Sequence, residues 1–99
     1  MKFDNKNIDL SILYKAFASL KTEKEIQSFL YDVCTETEII AMAQRILVAK
    51  MLTEKENYTA IVEKTRASST TISRVSRFLN KDGTGGYKTV LERLSKEDV

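Results

Sequence analysis

The sequence predicts an all-α chain of six helices, and three observations carry that prediction. Proline is absent, and the three glycines all fall within Gly83–Gly86. An all-β chain needs turn residues every 8–12 positions or so, and most of this sequence has none. Apolar residues recur at helical spacing through nearly every segment. Two helix starts are written out in full, as Thr22-Glu23-Lys24-Glu25 and Thr35-Glu36-Thr37-Glu38. In each, the threonine hydroxyl can take an orphan N–H while the glutamate three residues on reaches back.

Residues 1–7 are polar and read as a frayed end. Ile8, Leu10, Leu13, Tyr14, Phe17 and Leu20 then mark an amphipathic helix over 8–20. After the first capping box, Ile26, Phe29, Leu30 and Val33 form the stripe of a second helix. The third, over 36–53, is apolar around most of its circumference, from Ile39 to Leu52. A helix of that kind is buried on several sides, which in a 99-residue chain points to a central helix packed by two subunits. Arg45 sits inside it, and snorkelling or an ion pair within the chain would account for it. Residues 54–57 form a polar turn in which Asn57 can cap the next helix. Two short helices follow, over 58–65 and 69–79, then a glycine-rich loop and a final helix over 87–94 bearing Tyr87, Val90, Leu91 and Leu94. The whole of 1–99 is expected to form a single helical domain, with 8–53 supplying core and dimerisation helices.

A monomer of this length buries only about 60–70% of its unfolded surface, so pairing with a second copy is an obvious route to a larger core. Cys34 is the only cysteine, so no disulfide forms within the chain, and there is no histidine. A zinc or transition-metal site lacks ligands, and histidine-based catalysis is excluded. The chain also has no phosphate-cradling glycine motif, so an enzyme is not expected and neither is a cofactor. The N-terminus does not read as a signal peptide, and no apolar run approaches the ~20 residues that span a bilayer. A cytoplasmic protein with no membrane partner is the simplest expectation.

Net charge is +2, but unevenly placed. Between Lys64 and Lys81 lie five basic side chains and no acidic one, which suits a phosphate-facing surface as well as it suits a solvated face. The same stretch has the spacing of a helix-turn-helix over 58–79. With Tyr58 as position one, Ile61, Thr65, Ala67, Ile72 and Val75 fall at positions four, eight, ten, fifteen and eighteen, the inward positions of that motif. Ser68 caps the second helix. The turn position that favours positive φ holds Arg66, at a cost on the order of 1 kcal/mol. The outward face of the second helix is left with Ser69, Thr70, Thr71, Ser73, Arg74, Ser76 and Arg77. Hydroxyls and helix N-terminal N–H groups suit phosphates, waters and base edges, and arginines reach phosphate or guanine. Thr59, Lys64, Arg66, Ser68, Ser69, Thr70, Thr71, Ser73, Arg74 and Arg77 are therefore the expected contacts to double-stranded DNA. A module of another class, a helical dimer whose helix-turn-helix meets protein, is the alternative; steep salt dependence separates the two.

Four pieces of text occur in order between Thr35 and Tyr87: "TETEIIAMAQRILVAKML", "YTAIVEKT", "ASSTTISRVSRFLN" and, across the loop, "GTGGY". In these the chain resembles the Trp repressor superfamily, and within it the TrpR-like YerC/YecD branch. The resemblance implies a six-helix fold, an interlaced homodimer and recognition helices entering successive major grooves. It implies a DNA-binding transcriptional regulator, a repressor. In tryptophan-responsive members two arginines bracket the indole; they match Arg45 and Arg74, and Thr35 matches a residue at the pocket rim. Two further pocket positions depart. Val75 stands where a small residue is usual, and Phe78 where a polar side chain meets the ligand's amino group. Both add bulk, so tryptophan is not expected as the corepressor.

Overall fold

The computed structural model describes residues 7–97. They form α1 (Ser11–Ser19), α2 (Glu23–Val33), α3 (Glu36–Thr53), α4 (Tyr58–Thr65), α5 (Ser69–Asn80) and α6 (Gly86–Glu97), with no strand among the described residues. The chain divides within α3 into two compact units, the first ending at Ile39 and the second beginning at Ile40.

In the first unit α1 starts three residues later than the apolar periodicity predicts. The side chain of Asp9 accepts from Ser11 N at 3.0 Å and holds the chain in a turn up to that point. Both capping boxes form. Thr22 Oγ1 accepts from Glu25 N at 3.1 Å while Glu25 Oε1 accepts from Thr22 N at 3.2 Å. Thr35 Oγ1 accepts from Glu38 N at 3.1 Å, and Glu38 Oε1 accepts from Thr35 N at 2.8 Å. The reciprocal bonds satisfy N–H groups that a helix start leaves without partners. Phe17 of α1 meets Phe29 of α2 edge to face, ring centroids 5.6 Å apart at 85°, the arrangement that the ring quadrupole favours.

The second unit carries the core. Val48, Ala49 and Met51 of α3, Ile61 of α4, Ala67 of the turn, and Ile72 and Val75 of α5 are buried together. Leu52, Tyr87 and Leu91 close the cluster from its edge. Burying each of the larger of these side chains is worth about 1.5–3 kcal/mol. The apolar stripe of α6 places Tyr87 and Leu91, but the helix runs from residue 86 to 97 rather than 87 to 94. Its extra turn is polar and carries a Lys96–Glu92 pair at 3.2 Å.

α3 keeps its predicted length and departs in burial. Within one chain only Val48, Ala49 and Met51 of this helix are buried, while Ile40, Ile46 and Leu47 are 57%, 41% and 40% exposed. The helix ends on a left-handed residue, Lys55, with φ 64°. Lys55 N donates to Leu52 O at 3.1 Å and Glu56 N to Met51 O at 3.0 Å. That pair of bonds is the Schellman stop, here made without its usual glycine.

Candidate nucleic-acid interface

The inward positions of the helix-turn-helix are filled as the spacing requires. Ile61 and Ile72 are fully buried, Val75 and Ala67 nearly so, and Thr65 is half-buried. Asn57 caps α4, its side chain accepting from Ala60 N at 2.9 Å. Ser68 caps α5, accepting from Thr71 N at 3.1 Å. Between the helices Arg66 adopts φ 61° and ψ 16°, the left-handed conformation that the turn demands. Its N–H donates to Val62 O at 2.8 Å. Thr65 works in both directions: its hydroxyl donates to Ile61 O at 2.7 Å and accepts from Ala67 N at 3.1 Å. A residue that no sequence pattern marks completes the junction. Gln44 Nε2, on α3, donates to Thr65 O at 2.9 Å and satisfies a carbonyl at the end of α4.

This scaffold fixes what faces outward. Thr59, Lys64, Arg66, Ser68, Ser69, Thr70, Ser73, Arg74 and Arg77 are exposed, and Thr71 is half-buried. Two of the hydroxyls are engaged locally, since Ser68 Oγ donates to Thr71 Oγ1 at 3.1 Å. Thr59, Ser69, Thr70 and Ser73 carry the remaining ones of that set. Arg74 lies over the ring of Phe78, one turn further on, with its guanidinium carbon 4.7 Å from the ring centroid, within cation–π range. The acid-free stretch ends at Asp82, and this carboxylate folds back onto α5. Arg77 Nε and Nη2 both donate to Asp82 Oδ2, at 3.1 and 2.7 Å. Nothing in the helical spacing signals that pair, because the two residues are five apart and Asp82 lies beyond the helix.

The three residues expected at an effector pocket stand as follows. Thr35 is the cap of α3, described above. Arg45 is exposed on α3, and among the described residues it forms no ion pair or hydrogen bond, so an internal salt bridge does not account for it. Arg74 is exposed on α5 and engaged by Phe78. Val75 turns its methyl groups into the core, so its bulk is accommodated there. Among the described residues no cluster of side chains could hold a metal ion, and no helix is long and apolar enough to cross a membrane.

An all-helical fold with a capped, glycine-free helix-turn-helix and a basic outward face defines a class of DNA-binding regulators. The family model described as Trp repressor protein matches residues 8–95, and the chain belongs to the Trp repressor family, within its TrpR-like YerC group. It is 41% identical over 91 residues to the uncharacterized protein YerC of Bacillus subtilis strain 168, covering 92% of this chain and 86% of that one. The crystal structure of a TrpR-like protein from Eubacterium eligens ATCC 27750 is similar at 50% identity with a TM-score of 0.82, over 87% of this chain and 88% of that one. A Staphylococcus aureus crystal structure, of a protein provisionally named a Trp repressor, is similar at 37% identity with a TM-score of 0.82, over 87% and 85% of the two chains. The family is one of DNA-binding regulators and not of enzymes.

Proposed function

We propose that this chain is a sequence-specific transcriptional repressor that binds double-stranded DNA as an interlaced homodimer, with α5 in the major groove. One observation carries the reading. The inward side of α5 is buried in the core while its outward side presents Ser69, Thr70, Ser73, Arg74 and Arg77. Short hydroxyls near a helix N-terminus reach base edges directly or through water, and the arginines supply phosphate contacts. Thr59, Lys64 and Arg66 extend the phosphate-facing surface beyond the helix.

Dimerisation by residues 8–53 is supported by the large apolar side chains that one chain leaves uncovered, among them Leu13, Phe17, Ile46 and Leu47. In this reading 58–79 is the DNA-reading unit and 87–94 the apolar part of the last helix. The protein acts in the cytoplasm and needs no metal. Arg45 and Arg74 serve structure or phosphate contact, and Phe78 occupies Arg74 in place of a ligand, so no tryptophan is required.

Selection of bound duplexes from a random pool tests the function. The expected product is a palindromic site whose half-sites lie about 34 Å apart, centre to centre, as two recognition helices on one dimer require. Thr70→Ala should then relax preference at one position of each half-site, by about 1–3 kcal/mol. A pool that shows no enrichment, with protein that is folded and dimeric by light scattering, would refute the proposal and favour the protein-binding alternative.

A further inference from the structure

The carboxylate at the end of the recognition helix has no part in the function proposed above, and it is held there by two separate features. Lys81 N and Asp82 N both donate to Arg77 O, each at 2.8 Å, so the chain is wrapped tightly over the last turn of α5. Gly83 follows, where a Cβ would stand 1.8 Å from Phe78 O, so only a residue without a side chain lets the turn close this far. The result is that Asp82 Oδ2 meets both Nε and Nη2 of Arg77. Among the described residues, Arg77 is the one basic residue between Lys64 and Lys81 that is ion-paired. Its side chain remains 65% exposed while that of Asp82 is 34% exposed. The guanidinium is thus open to an incoming anion, and the carboxylate is the better-anchored partner.

We propose that Asp82 is a positioning residue that holds Arg77 against the end of α5 and competes with DNA phosphate for it, setting the electrostatic strength of the recognition helix. The inference rests on the DNA-binding function. A charge-assisted bond from two donors to one carboxylate fixes the side chain, yet an exposed pair of this kind shifts an equilibrium by only about two- to five-fold. Phosphate can therefore displace the carboxylate, and every DNA sequence meets the same competitor. The acidic loop lowers binding to all DNA through one arginine and leaves the base-reading hydroxyls untouched.

Asp82→Asn keeps the shape of the turn and removes the charge, and Asp82→Ser is a second variant with good turn propensity. Fluorescence anisotropy on a random-sequence duplex, between about 50 and 200 mM salt, reads both affinity and its salt slope. Each variant should bind about two- to five-fold more tightly than the parent, with a slope steeper by up to about 0.9. In an Arg77→Ala background the same substitutions should change neither quantity, a result that a purely structural role for Asp82 would not produce. An equal gain with and without Arg77 would show a long-range charge effect and overturn the proposal. So would variants that bind as the parent does. A parent protein that binds no duplex at the lowest salt would instead overturn the DNA-binding function itself, and this inference with it.

Discussion

Gln44 offers a direct test of how the helix-turn-helix is held. Its amide donates to Thr65 O at 2.9 Å in a part-buried setting, across 21 residues of sequence. The accepting carbonyl closes α4 immediately before left-handed Arg66. Gln44→Met keeps length, approximate volume and helix propensity while removing the donor. The loss comprises a hydrogen bond of about 0.5–1.5 kcal/mol and an acceptor left partly dry, so about 1–2 kcal/mol is expected in total. For a chain of this size each kcal/mol lowers Tm by about 4–8 °C. Gln44→Glu should be worse at neutral pH, because it sets an ionised acceptor against the carbonyl. Thermal unfolding followed by circular dichroism, at one fixed protein concentration since assembly raises apparent stability, reads both variants. If Gln44→Met melts within about a degree of the parent, water serves the Thr65 carbonyl as well as the amide does. The Gln44 bond would then contribute nothing to the turn.

Two further outcomes are expected. The Thr35 backbone N–H, and secondarily its hydroxyl, hold the Glu38 carboxyl below its ordinary value of 4.5. Because the folded-state value is the depressed one, the capping box contributes stability above the ordinary carboxylate range and loses it as pH falls through the folded value. Titration of Glu38 by NMR should give a value below 4.5, and one at or above it would contradict the geometry. Calorimetry with millimolar L-tryptophan should give no saturable heat, with DNA affinity unchanged. Saturable binding in the tens of micromolar, together with tighter DNA binding, would show that Arg74 leaves Phe78 for the ligand.

The helix-turn-helix is the most legible part of the sequence, because its offsets are short-range and each inward residue is defined by the turn between two adjacent helices. The capping boxes are legible for the same reason, since every partner lies three residues away. The helix ends are less so. Apolar periodicity marks the buried face alone, so it gives no sign of the exposed last turn of α6. Ile8 and Leu10 suggest a helix where the Asp9–Ser11 bond makes a turn. Gln44 and Asp82 carry no helical-spacing signal: the partner of one is 21 residues away, and the other reaches back to Arg77 from a turn beyond the end of the helix. The apolar circumference of α3 predicts burial on several sides, whereas a single chain covers only part of it.

The left-handed stops on either side of α4 act on the unfolded chain as well as on the folded one. Lys55 and Arg66 both hold positive φ, at 64° and 61°, where glycine is the usual choice. In the folded protein each is strained by about 1–2 kcal/mol. A glycine at either site would relieve that strain but would enlarge the denatured ensemble, offsetting about 0.4–1 kcal/mol of the gain. The net disadvantage of the basic residues is then only a fraction of the strain visible in their dihedral angles. At so small a penalty the protein keeps a positive charge at both junctions of α4, and its unfolded chain is stiffer there than one punctuated by glycine.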